Sequence, residues 1–201
     1  MSNLNCINLA DIDMGLSCAE QDNMGGIVPQ VIYGYCDDVD TWPTKPVEAT
    51  AGAGVSLEAA GTLVGDLVMK TGCRAYKFDF TDDTGSFTIK PQGEKGGESF
   101  IETLTFLAQK IRKILLGFMN ATKGRKIFFL VKDNNGQWYL MGDQDHGAML
   151  VADSEGANTG AAYTERNHVG LTFTYNTPRA FVYGGDTEDI LTAVQAQPNN
   201  P

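Results

Sequence analysis

The stretch "KIFFLVKDNNGQWYLMG", Lys126–Gly142, decides the fold. Two apolar runs flank Asp133-Asn134-Asn135-Gly136, a polar turn signal between strands. In such a hairpin Ile127, Phe129 and Val131 point to one side, Phe128 and Leu130 to the other. On the return Trp138 and Leu140 alternate with Tyr139 and Met141. A hairpin with one wet face carries polar residues there. This one is apolar on both, so a helix, a second sheet or another molecule must cover the second face.

Immediately before it, "ESFIETLTFLAQKIRKILLGFMNATKG" (98–124) has two periods at once. Apolar residues at 100, 101, 104, 107, 108, 111, 114, 115 and 118 follow helical spacing, and Ser99-x-x-Glu102 resembles a capping box. Yet "SFIETLTF" alternates and is rich in β-formers, so 99–107 is open between helix and strand. Ala108, Ile111, Leu115 and Phe118 then make an apolar stripe opposite Gln109, Lys110, Arg112 and Lys113. The spacing predicts a helix over about 109–121, stopped at Gly124.

Farther out the signal is β. "GGIVPQVIYGYCDDV" (25–39) reads as a strand whose Pro29 suits an edge or a bulge. Tyr76, Phe78 and Phe80 alternate, Thr81–Gly85 turns, and Phe87 and Ile89 alternate back, which predicts a half-buried hairpin. "GAML" (147–150) is a short strand, 151–167 a loop of small residues, and "HVGLTFTYN" (168–176) a last strand with Val169, Leu171, Phe173 and Tyr175 on one side. Residues 1–24 read as an N-terminal arm and 40–72 as a long loop or insertion. Residues 186–201 read as a tail, with Asp186 capping a short helix. The whole, 1–201, is expected to be one domain, mainly β with one main helix (α+β): an antiparallel β-sandwich or barrel carrying that helix.

With 15 Lys and Arg against 25 Asp and Glu the net charge is −10. Binding to polyphosphate needs clustered cations that displace counterions, so a dedicated nucleic-acid binder is not expected. Cysteines at 6, 18, 36 and 73 lack Cys-x-x-Cys spacing, which speaks against zinc and for reduced thiols, with a disulfide pair as the open alternative. Asp11 and Asp13 interrupt any signal-like segment, and no apolar run reaches 18 residues. Neither secretion nor membrane spanning is expected.

Chemistry finds little purchase. Asp83-Thr84-Gly85 copies an aspartic-protease motif but lies in an expected tight turn. Asp143 and Asp145 in "GDQDHG" lack the further oxygen ligands of a calcium loop. "AGAGV" is not a dinucleotide fingerprint, there is no Walker sequence or G-x-S-x-G, and neither His146 nor His168 has a nucleophile nearby in sequence. Trp42 and Trp138 could stack on sugars, although core packing is the commoner use. No catalysis, cofactor or metal is expected.

Taken together, "GGIVPQVIYGYCDDV", "ESFIETLTFLAQKIRKILLGFMNA", "RKIFFLVKDNNGQWYLMGDQ" and "TGAAYTERNHVGLTFTYNTPRAFVY" resemble the major tail tube proteins of tailed bacteriophages, closest to those of phages and prophages of Bacteroidetes-type hosts. The order of phrases carries the resemblance: a Thr-Leu-Thr strand into a helix, a hairpin with a polar turn, a loop, and a Gly-x-Thr-Phe-Thr strand. It implies a strand at 99–107 and a non-enzymatic virion protein made in the host cytoplasm. Copies would form stacked, hexameric rings whose inner strands join into a barrel. The implied partners are the chain itself, other tail proteins, and double-stranded DNA only in passage through an acidic lumen. A neck ring, capsid decoration protein or glycan-binding sandwich is the alternative. On this reading Phe128, Leu130, Tyr139 and Met141 are the candidate subunit-contact residues. The small-residue loops at 49–61 and 152–162 either let backbones approach between rings or are plain linkers.

Overall fold

The computed structural model describes residues 7–12, 23–46, 54–152, 154–187 and 190. In chain order the first strands are β1 (Ile7–Asn8), β2 (Ile27–Tyr35), β3 (Val39–Thr41) and β4 (Val55–Ser56), followed by a single helical turn, α1 (Leu57–Ala60). Then come β5 (Thr62–Leu63), β6 (Val68–Met69), β7 (Tyr76–Asp79), β8 (Ser86–Gln92) and β9 (Ser99–Gln109). The main helix α2 (Lys113–Thr122) precedes β10 (Ile127–Asp133), β11 (Trp138–Met141) and β12 (Met149–Leu150). β13 (Gly156–Asn158), β14 (His168–Thr177) and β15 (Val182–Tyr183) follow. The protein is mostly β, with one main helix and several antiparallel sheets.

Sheet I has the order β5-β15-β11-β10-β2-β7, and sheet II the order β12-β14-β9-β8 with β13 also on β14. The 126–142 hairpin is the centre of sheet I: Phe129 faces Met141 and Lys132 faces Trp138 across it. One core unites both sheets and the helix. Phe78, Phe129 and Met141 from sheet I meet Phe106, Leu171 and Phe173 from sheet II and Leu115 and Phe118 from α2. Phe129 and Phe173 ring centroids lie 4.7 Å apart, and Phe78 and Phe106 5.0 Å. Each such contact contributes about 0.5–1.5 kcal/mol beyond area burial.

The second face of sheet I is covered from within. Phe128, Leu130 and Leu140 pack with Val39, Leu67, Met69, Tyr183 and Ile190, and Trp42 stands edge-on to Phe128. The 40–72 segment is therefore not an open loop: β3 pairs β6, Thr44 bridges Val64, and β5 extends sheet I beside β15. Small residues there hid the few large ones, Leu67 and Met69, that form the cover.

Tyr76–Ile89 is not a hairpin. β7 pairs β2 in sheet I, whereas β8 pairs β9 in sheet II. The chain changes sheets between two adjacent amides: Phe80 N–H donates to Pro29 O at 3.1 Å, and Thr81 N–H to Leu107 O at 2.8 Å. Alternation reports that a segment is a strand and says nothing of its partner. Asp83, at φ 58°, turns the corner. Pro29 lies where the β2–β10 register shifts, a bulge inside the sheet, as its missing N–H allows.

Residues 99–107 are strand, continuing to Gln109, and α2 begins only at Lys113. Ser99-x-x-Glu102 therefore caps nothing. The inward set is Glu102, Leu104, Phe106 and Ala108, held by a ten-residue ladder to β14. Lys110, at φ 62°, breaks the strand. α2 buries Leu115, Phe118 and Thr122 and ends where Gly124 takes φ 69°, the left-handed stop expected of that glycine. The loop after β12 contains β13, so it is not wholly irregular. Asp186 is described, with its N–H donating to Asp66 Oδ1 at 2.7 Å, but most of the helix it is expected to cap, Cys6, Cys18 and most of the arm and tail lie outside the described residues.

Candidate functional site

β8, β9 and β14 alternate hydroxyl and apolar residues, and the two-residue period sends each kind to its own face. Phe87, Leu104, Phe106, Leu171 and Phe173 go inward. The other face is built in rows: Ser86, Thr105 and Thr172 in one, Thr88, Thr103 and Thr174 in the next, then Lys90, Ile101 and Asn176. Thr105 and Thr172 hydroxyls are 3.2 Å apart, and Gln92 Nε2 donates to Asn176 Oδ1 at 2.7 Å. These rows contain no carboxylate and one cation, Lys90, in a chain of net charge −10. At the far end His168 is paired with Glu155 at 2.6 Å.

Sheet II is open at both sides. Among the described residues no strand lies against the outer edge of β8, whose seven residues all pair inward with β9. The opposite border is only the short β12 and β13. Roughly half the backbone groups of such an edge point away from its partner. An edge of this length is a template for another strand.

The expected subunit-contact residues do not form one surface. Facing residues in an antiparallel pair share a side, so pairing of Phe129 with Met141 and of Leu130 with Leu140 splits the set. Phe128 and Leu130 face the cover; Tyr139 and Met141 face the shared core. Phe128, Leu130 and Met141 are 0% exposed and have nothing to offer a neighbour. Tyr139 is half-buried, its ring tilted against Phe87 with centroids 5.0 Å apart, and it donates to Asp133 Oδ2 at 3.3 Å. The correction follows from register and from the cover formed by 39–69.

The other candidates disperse. Asp83 is an exposed corner residue beside Thr84, whose hydroxyl donates to Thr81 O. Asp143 Oδ1 accepts from the N–H of Asp145 and His146, and Oδ2 accepts from the Tyr175 hydroxyl at 2.8 Å, so the carboxylate organises a turn. Among the described residues no group of three or more His, Cys, Asp or Glu could hold a metal ion. Trp42 packs on the sheet I cover and Trp138 sits under Lys132. Cys36 is buried and Cys73 half-buried, both free. No described helix is long and apolar enough to cross a membrane.

One residue carries an unexpected burden. Glu102 on β9 points inward, is 3% exposed, and its Oε2 has no hydrogen-bond partner among the described residues. Burial pushes its carboxyl up to about 8. The sequence signal was a lone acid at an inward position, visible only once 99–107 is a strand.

No protein-family model, no curated protein and no solved structure matches this chain.

Proposed function

We propose that the chain is a self-assembling virion protein, the subunit of a tail tube, whose copies join edge to edge into rings that stack around a channel for DNA. The observation that carries this reading is the β8 border of sheet II, open among the described residues. In a ring, β8 of one copy lies beside the β12–β13 border of the next, and the two-sheet sandwich of each copy contributes sheet II to a closed barrel. Closure removes the exposed edges. A head-to-tail contact of this type forms a ring when its rotation closes.

The second support is the face that sheet II would turn to the channel. Its threonine rows are nearly uncharged, so passing DNA meets hydroxyls rather than the cations that would hold it by counterion release. The wall in this reading is hydroxyl-lined rather than acidic. The resemblance of the phrase order to tail tube proteins is the third support and sets the expected ring at six copies.

Negative-stain microscopy of the purified full chain at rising concentration tests the proposal. Rings or tubes are expected, together with slowed amide exchange across 86–92 in the assembled fraction. A strictly monomeric protein at high concentration, with 86–92 exchanging freely, would overturn it.

A further inference from the structure

Helix α2 has a second apolar side that the core does not use. Ile114, Gly117 and Ala121, spaced three and four apart, lie on the flank of the helix beside Phe118, whose ring edge closes the groove on the core side. With Tyr33, Tyr35 and Tyr76 they line an open groove of about 400 Å³ between the helix and the β7 border of sheet I. Ile114 is 72% and Tyr76 42% exposed. A β-carbon at Gly117 would meet nothing within 4 Å, so the groove floor is empty space. A mid-helix glycine there costs about 1 kcal/mol relative to alanine, a cost the helix bears while keeping the groove deep.

The groove is rimmed by cations. Arg74 lies over the Tyr76 ring at 4.7 Å and Arg125 over the Tyr35 ring at 5.3 Å. The stretch 103–132, which contains α2 and Arg125, holds seven Lys and Arg and no acid, although Lys126 and Lys132 lie away from the groove on Asp145 O and Trp138. The rest of the chain has eight cations against 25 acids, a net −17. Among the described residues every ion pair involves a histidine, so none of these cations is ion-paired there. The Tyr35 hydroxyl is already donated to Ala121 O. What this surface lacks is apolar filling and negative charge.

We infer that the groove between α2 and β7 seats a second copy of this chain, which presents part of its acidic surface with an apolar side chain between Arg74 and Arg125. The inference rests on the self-assembly reading and adds a contact distinct from the β8 edge. Charge complementarity selects the occupant: the chain outside 103–132 is the acidic partner present at highest local concentration. Opposed patches of this kind speed encounter and fix register. A nucleic acid would satisfy the arginines and leave the apolar floor uncovered.

Full-length wild type is compared with Ile114→Glu, Gly117→Leu and the pair Arg74→Glu/Arg125→Glu by sedimentation velocity at low and high salt, with a double-stranded oligonucleotide in a parallel arm. Both single sites are surface positions, so folding is checked by circular dichroism. Wild type is expected to associate, more weakly at high salt, and each variant to lose about tenfold or more in association. Variants that associate as wild type does, while wild type assembles, overturn this groove and leave the tail-tube reading standing. A wild type that never associates overturns both. Variants that lose oligonucleotide binding yet keep self-association make the rim a nucleic-acid surface and overturn the inference. Variants that melt earlier as dilute monomers without any change in association show that the chain's own terminal residues fill the groove, and overturn it as well.

Discussion

The Tyr175 hydroxyl donates to Asp143 Oδ2 at 2.8 Å, joining β14 in sheet II to the turn that leaves β11 in sheet I. The same carboxylate anchors its own turn through Oδ1. Burial first, then the bond to Asp143, push the tyrosine hydroxyl well above its ordinary range. It is thus a permanent donor. Tyr175→Phe is expected to destabilise the protein by about 2 kcal/mol, since hydrogen bonds to charged groups contribute about 1.5–3 kcal/mol. Asp143→Ala removes three bonds and should have the larger effect. Urea midpoints at unchanged m-value measure both.

Glu102 contributes a pH-dependent part to the protein's stability. Burial disfavours the charged form and pushes its folded carboxyl from the ordinary 4.5 up to about 8. Below the ordinary value the group is neutral folded and unfolded, and imposes no penalty. As pH rises from there toward about 8 the unfolded chain ionises first, so stability falls across that window, by up to about 1.4 kcal/mol per pH unit. Glu102→Gln should flatten this slope and stabilise the protein at neutral pH. An unchanged slope between pH 5 and 8 in the variant would show that Glu102 finds a counter-charge.

Gly34 and Phe128 form one packing unit. A β-carbon on Gly34 would sit 2.6 Å from the Phe128 ring. Gly34→Ala overpacks, at about 1–3 kcal/mol, and Phe128→Ala opens a cavity, at about 3–5 kcal/mol. In the double variant the methyl group enters the cavity, so the combined loss should be smaller than the sum. Additive losses in a double-mutant cycle would refute this coupling.

Cys36 should be inert in the folded protein. Burial, then nearby Asp37, push its thiol up to about 12, and only the thiolate alkylates. Iodoacetamide at pH 8 followed by peptide mapping is expected to leave Cys36 unmodified until the protein is unfolded, and to label the more accessible Cys73 earlier. Rapid native labelling of Cys36 would mean that the 39–69 cover opens.

The central hairpin, the inward set of β14 and the glycine stop after α2 were legible because each is written in local periodicity or local backbone geometry. The pairing of β7 and β8 was not. Tyr76–Phe80 and Phe87–Ile89 alternate alike whether they face each other or separate sheets, and only the successive amides of Phe80 and Thr81 reveal the change. Residues 100–108 satisfied two periods at once, and the β14 ladder decided between them. For the site, the threonine rows were readable strand by strand, but the open edge of β8 is a property of what fails to pair. The cover over Phe128 was hidden for the same reason: its partners Leu67 and Met69 lie among small residues that suggest a loop.

Sheet I joins Val31 to Val131, one hundred positions apart in the chain. A ribosome adding about 5–20 residues per second leaves β2 waiting roughly 5–20 s for β10. For much of that interval the nine-residue strand has only the four-residue β7 as a mate, and pairings of such sequence separation form slowly even once both strands exist. Chains emerging side by side on one messenger are therefore most prone to mispair before release, and overproduction at lower temperature, with slower initiation, should raise the soluble yield.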